Sequence, residues 1–110
     1  MTIINSVTDP IAASLACLRG RLPPGSRVIV FGSQARGEAR EDSDLDLLVV
    51  EPEVGNRFDE MARLSSLLGR QLIPADVVVM SDAAFEDERR HLNTLAWRAV
   101  REGRIHELPS

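Results

Sequence analysis

Apolar positions along this chain alternate between two patterns, one of helical period and one of unbroken short runs. Ile11, Leu15, Leu18 and Leu22 recur at helical spacing and predict a helix over 10–21. Asp9-Pro10 opens it, an N-cap carboxylate followed by a proline whose missing N–H is harmless in the first turn. Pro23-Pro24-Gly25 closes it. Arg27–Phe31 (RVIVF) is a β-branched run without polar alternation, which predicts a strand covered on both faces and broken at Gly32. Asp44–Val50 is a second such run, stopped by Glu51-Pro52 because proline cannot continue a central strand. Arg57–Leu72 returns to the helical period. Phe58, Met61, Leu64, Leu68 and Leu72 mark its expected buried face, with Arg57, Asp59, Glu60, Arg63 and Arg70 largely away from it.

Beyond Pro74, Asp76–Met80 (DVVVM) reads as a third strand, and Ser81-Asp82 caps a helix from Ala83 to about Glu88. Arg89–Asn93 interrupts the apolar pattern and is expected to be a loop near a partner surface. Thr94–Glu102 resumes as a helix ended by Gly103, and Arg104–Leu108 adds an edge strand. The link between the first two strands is too short for a crossover, so they should be antiparallel; the second and third enclose a helix and can be parallel. The expected fold class is α/β (α+β): a small mixed sheet of three to four strands with helices packed on it, forming one domain over 1–110.

Composition narrows this picture a little. The 110 residues are 44% hydrophobic and 27% charged, ordinary for a globular domain, and the net charge of −4 gives no sign of the basic face of a general nucleic-acid binder. All 13 basic residues are arginine, which excludes a lysine Schiff base or a P-loop lysine. The single Cys17 lies in an apolar helical pattern and is expected to be a buried, inert thiol in a reducing compartment. No basic leader with a long apolar run opens the sequence, and no stretch nears the ~18 apolar residues of a membrane span. A cytoplasmic protein without membrane contact is the expectation.

The chemistry concentrates in Val28–Val50. On a strand, Asp44 and Asp46 project to one face while Leu45 and Leu47 face the other. Two carboxylates that close repel one another, and solvent or a hard cation such as Mg²⁺ relieves the repulsion. Asp76, opening the next strand, can join them if the two strands are neighbours. Three acids on adjacent strands can hold two Mg²⁺ about 3.5–4 Å apart, the arrangement that clamps attacking and leaving oxygens. Gly32 lets a ligand approach the backbone closely; Ser33–Gly37 can form a helical turn that offers N–H groups, with the Ser33 hydroxyl, to a phosphate. Arg36 either meets a phosphate or pairs with a carboxylate. The plain alternative for Asp44 and Asp46 is a solvated strand edge. His91 and His106 read as surface histidines, Trp97 as a core or interface anchor, and Glu86-Asp87-Glu88 as a solvated helix face.

These residues carry a resemblance. Gly32-Ser33-Gln34-Ala35-Arg36-Gly37, then Ser43-Asp44-Leu45-Asp46-Leu47, then Asp76 opening a later strand, resemble the minimal nucleotidyltransferases of the DNA polymerase β superfamily, over almost the whole chain. The closing stretch Ala99–Ile105 is similar to that family's last helix and edge strand. The resemblance implies transfer of a nucleoside monophosphate from an NTP, usually ATP, to a hydroxyl, with two Mg²⁺ ions. It implies that Asp44, Asp46 and Asp76 are the catalytic, metal-binding residues and that Gly32 and Ser33, joined by Arg36, hold the nucleotide. Small members are commonly encoded with a helical HEPN-domain toxin, for which they act as antitoxin by adenylylating a tyrosine. That implies a hetero-oligomer with a protein partner and no direct nucleic-acid contact. The absence of tyrosine from this chain fits an acceptor in trans. Two other readings stand beside this one: an antitoxin that blocks its partner by contact with little turnover, and an enzyme modifying a small-molecule hydroxyl.

Overall fold

The computed structural model describes residues 9–32 and 45–107. Eight elements follow in order: α1 (Pro10–Leu18), β1 (Arg27–Phe31), β2 (Leu45–Glu51), α2 (Arg57–Arg70), β3 (Ala75–Ser81), α3 (Asp82–Glu88), α4 (Leu95–Glu102) and β4 (Arg104–Glu107). The expected turn at Ser33–Gly37, the rest of the link to the second strand, and Asp44 lie outside the described residues. The strands form one mixed sheet in the order β3-β2-β1-β4. β1 pairs antiparallel with β2 and with β4, and β2 pairs parallel with β3 across the α2 crossover, as the connection lengths require.

Local chemistry accounts for most of the boundaries. The Asp9 carboxylate accepts from the amides of Ile11 and Ala12, Asn56 caps α2 through the Asp59 amide, Ser81 caps α3 through Ala84, and Thr94 caps α4 through Trp97. α1 is shorter than its apolar pattern implies: it stops at Leu18, and Gly20 then takes a φ of +76°. The central strand β2 is buried along nearly its whole length, so its parity sorts side chains between two cores. Leu45, Leu47 and Val49 pack with Val28, Val30, Val77 and Val79 under α1 and α2. Leu48 and Val50 pack with Ile29, Met80, Phe85, Ala96 and Ala99 under α3 and α4. Phe85 is fully buried, with the Arg27 guanidinium 5.0 Å and that of Arg89 5.6 Å from its ring centre; Arg27 also pairs with Asp82 at 2.8 Å.

Two expectations for α2 need correction. Phe58 is 71% exposed, with the Arg57 guanidinium 5.6 Å from its ring centre; the stripe that reaches the core begins one turn later at Met61. Periodicity marks a stripe, not how far along it the sheet and α1 lie underneath. Leu72 is 88% exposed because the helix ends at Arg70 in a Schellman motif: the Ile73 amide donates to the Leu68 carbonyl and the Leu72 amide to Gly69. Leu72 occupies the left-handed position of that motif (φ 59°), and Ile73 turns inward in its place. Cys17 is half-buried, not buried; its thiol donates weakly to the Leu67 carbonyl at 3.5 Å, and burial raises its pKa.

Candidate active site

The even-numbered positions of β2 and β3 face α3 and α4, and at the start of both strands that face changes from apolar to acidic. Asp46 stands directly across from Asp76 in the parallel register, and across from Phe31 in the antiparallel one. Neighbouring strands lie about 4.8 Å apart, so the two carboxylates spring from adjacent backbones. β1 ends where β2 and β3 begin, and this brings Gly32 to the same edge. Gly32 has a φ of +78°, and a Cβ built there would collide with Oδ2 of Asp46 and lie 3.1 Å from its Cγ. Only glycine accommodates both the left-handed backbone and a carboxylate lying against it.

Together these residues edge a concave pocket of about 320 Å³, whose remaining walls are Phe31, Val78, Leu95, Arg98 and Glu102. The last three named on α4 share one face at spacings of three and four, so the helix lays one apolar and two charged side chains along the pocket. Thr94 holds that helix in place: its hydroxyl caps the Trp97 amide and reaches the carbonyls of Glu88 and His91, tying α4 to the end of α3.

The pocket therefore contains three carboxylates, Asp46, Asp76 and Glu102, and one guanidinium, Arg98. Hard oxygen donors at a partly open site are the donor chemistry that Mg²⁺ takes, with water completing its shell, so the residues present fit the implied metal. Among the described residues no group of three or more His, Cys, Asp or Glu is arranged to hold a metal ion by itself. Of the site residues expected from sequence, the structure brings together Gly32, Asp46 and Asp76; Ser33, Arg36 and Asp44 lie outside the described residues. Phe31, Val78, Leu95, Arg98 and Glu102 were not anticipated as pocket residues. Leu95, Arg98 and Glu102 had a visible signal, a mixed apolar and charged stripe on one helical face, but nothing local tied that face to the two acids.

Comparison with known proteins decides the family. Residues 14–101, most of the chain, match the family described as Nucleotidyltransferase domain. The chain belongs to this family. Its activity is accordingly of nucleotidyltransferase type. No curated protein sequence matches significantly. Among solved structures, a chain of a toxin–antitoxin structure with AMP-PNP is similar in fold at a TM-score of 0.51 and 22% identity, covering 89% of this chain and 70% of that one. A protein described as a minimal nucleotidyltransferase is 35% identical over 94% of this chain and 91% of its own, at a TM-score of 0.47. A Sulfolobus solfataricus protein described as a nucleotidyltransferase is 27% identical over 74% of this chain and 70% of its own, at 0.46. The mixed four-stranded sheet with its helices is a nucleotidyltransferase fold. No helix among the described residues is long and apolar enough to cross a membrane.

Proposed function

We propose that this nucleotidyltransferase moves AMP from ATP to a hydroxyl of a partner protein, a tyrosine of a cognate HEPN toxin, and acts as its antitoxin. The observation that carries the reading is the pairing of Asp46 with Asp76 across β2 and β3 beside Gly32. The fold likeness to a toxin–antitoxin structure with AMP-PNP adds support for nucleotide and partner alike. In this scheme Gly32 and Ser33, with Arg36, would hold the β- and γ-phosphates, and Asp44, Asp46 and Asp76 would hold two Mg²⁺ ions. Those ions would supply charge neutralisation at the transferred phosphoryl group. The acceptor oxygen bonds to the α-phosphorus, the α–β phosphoanhydride bond breaks, and pyrophosphate leaves. Asp76 accepts the acceptor's proton, and Phe31, Val78 and Leu95 form the apolar wall beside it. Most of the rate comes from positioning and electrostatics, as for other phosphoryl transfers.

The test is transfer of label from α-³²P-ATP to a co-purified helical partner. Wild type should label the partner only when Mg²⁺ is present. Asp76→Asn should lower the rate by about 10³-fold, in the range of a lost catalytic electrostatic group, with the fold intact by circular dichroism. Equal neutralisation of the partner by Asp44→Asn/Asp46→Asn and by wild type would assign the antitoxin role to contact. Label on a small-molecule hydroxyl in place of the protein would reassign the acceptor.

A further inference from the structure

The transfer scheme leaves the charged wall of the active-site pocket unused. That wall is α4, from which Leu95, Arg98 and Glu102 line the pocket beside Asp46 and Asp76. Both ends of the helix are fixed. At its start the Thr94 hydroxyl caps the Trp97 amide and donates to the Glu88 carbonyl at 2.7 Å. At its end a Cβ built on Gly103 would lie 2.6 Å from the carbonyl oxygens of Ala99 and Val30 and 2.9 Å from Cγ2 of Ile29. A residue without a side chain is what lets the helix end press this closely on β1. Between the two ends Ala96 and Ala99, both fully buried, pack with Ile29 and Leu48, so little side-chain volume separates the helix from the sheet. The backbone of Arg98 is therefore held at a set place relative to the strand ends that carry the acids.

Arg98 is the one cation lining that pocket among the described residues, and no hydrogen bond or ion pair among them engages its guanidinium. Arg101, on the next turn, is placed differently: it lies 5.1 Å from the Trp97 ring centre and does not line the pocket. A guanidinium that the fold leaves unpaired, set across a pocket from two carboxylates, is available to an anionic ligand. We infer that Arg98 binds the α-phosphate of the incoming nucleotide, donating to the non-bridging oxygens of the group that is transferred. The inference rests on the nucleotidyl-transfer reading of this site.

Position and charge together select the α-phosphate. The reacting group must lie beside Asp46 and Asp76, and a pocket of about 320 Å³ lined by both acids and by Arg98 brings that group within reach of the guanidinium. The β- and γ-phosphates belong, in that reading, to the Gly32–Ser33 side. A neutral base offers a guanidinium no charge to meet, whereas a phosphate accepts two of its N–H groups side by side. Asp46 and Asp76 repel the phosphate, and Arg98 offsets them from the helix wall. Through the displacement the bond from the acceptor oxygen to phosphorus forms as the α–β bond breaks, and pyrophosphate leaves. Arg98 keeps all its protons and holds the non-bridging oxygens in place.

The experiment titrates the full chain, with Mg²⁺ and no acceptor, with adenosine, AMP, ADP and α,β-methylene-ATP, whose α–β bridge cannot be cleaved. Amide NMR shifts of Gly32, Val78 and Leu95 give the affinities apart from any turnover. Arg98→Gln should weaken AMP, ADP and α,β-methylene-ATP by one common factor of about tenfold, the scale of a lost charge-assisted hydrogen bond, and leave adenosine unchanged. Arg98→Lys, which keeps the charge and loses the planar fork, should fall between that variant and wild type. Arg98 is exposed, so both variants should fold, and Arg101→Gln should bind all four ligands as wild type does. Wild-type affinity for AMP in Arg98→Gln overturns the inference. A loss confined to ADP and α,β-methylene-ATP also overturns it, by placing the guanidinium on the leaving pyrophosphate, and so does an equal loss for adenosine. Failure of the underlying reading looks different. A wild-type chain that binds none of the phosphates overturns both, whereas Arg98-dependent binding in a chain that labels no partner supports the inference and overturns only the protein acceptor.

Discussion

Gly32 and Glu51 mark the two ends of the sheet, and each is constrained by a single side-chain oxygen. At Gly32 the constraint is steric. Gly32→Ala must bear a left-handed backbone and a Cβ inside the space of Asp46 Oδ2, so it should destabilise the fold by about 1–3 kcal/mol in urea denaturation. It should also move Asp46 and lower the initial rate of nucleotidyl transfer by about 10²-fold. At Glu51 the constraint is electrostatic. The unfolded carboxyl titrates at its ordinary 4.5 and the folded one at about 8, so between these values the native state binds more protons than the unfolded state. Its contribution to stability is therefore whole below pH 4.5, declines as pH rises, and is gone above about 8. The slope is at most ~1.4 kcal/mol per pH unit. Glu60 has the opposite sign: Arg63 first, and Glu51, hold it down to about 2, so its contribution is present above 4.5 and lost only as pH falls through 2. Denaturation of wild type and Glu51→Gln at pH 5, 6.5 and 8 should show a falling stability for wild type and a flatter one for the variant.

Among the elements, α2 carries the clearest consequence of how a helix ends. Leu72 fills the position of a Schellman motif that glycine favours, and its side chain is almost wholly exposed. Leu72→Gly relieves the left-handed strain and sacrifices little burial. It should raise stability by about 0.5–1 kcal/mol, read as an upward shift of the urea midpoint with unchanged m-value. The Ile73–Leu68 contact beneath the motif is retained, since both residues stay in the core. The helix period was readable in the sequence because buried positions recur within a few residues. The fate of Phe58 and Leu72 was not, because it depends on where the underlying layer stops and on how the last turn closes. β4 shows the reverse case. A short, largely exposed strand was legible from Gly103 and the residues after it, and it pairs with β1 at the sheet edge.

For the whole molecule, the consequence of the sheet is separation. Asp46 and Glu51 lie on one strand, about 17 Å apart at ~3.3 Å per residue, so the candidate active site and Glu51 occupy opposite ends. The stability costs of Gly32→Ala and Glu51→Gln should then add to within about 0.5 kcal/mol in the double variant at fixed pH, measured by the same urea titrations.

The local pattern alone determined the order of elements, the Asp9 and Ser81 caps, the mixed sense of the sheet and the family likeness, because hydrophobic period, capping side chains and connection length all act over a few residues. It also placed Asp46 and Asp76 near the starts of their strands. Only the tertiary structure decided that those two acids face each other in register, that the Leu95–Arg98–Glu102 face of α4 lies against them, and that Glu51 is buried with an unpaired oxygen. Each of these depends on which layers meet and how far they extend, and that is settled by burial between residues distant in the chain.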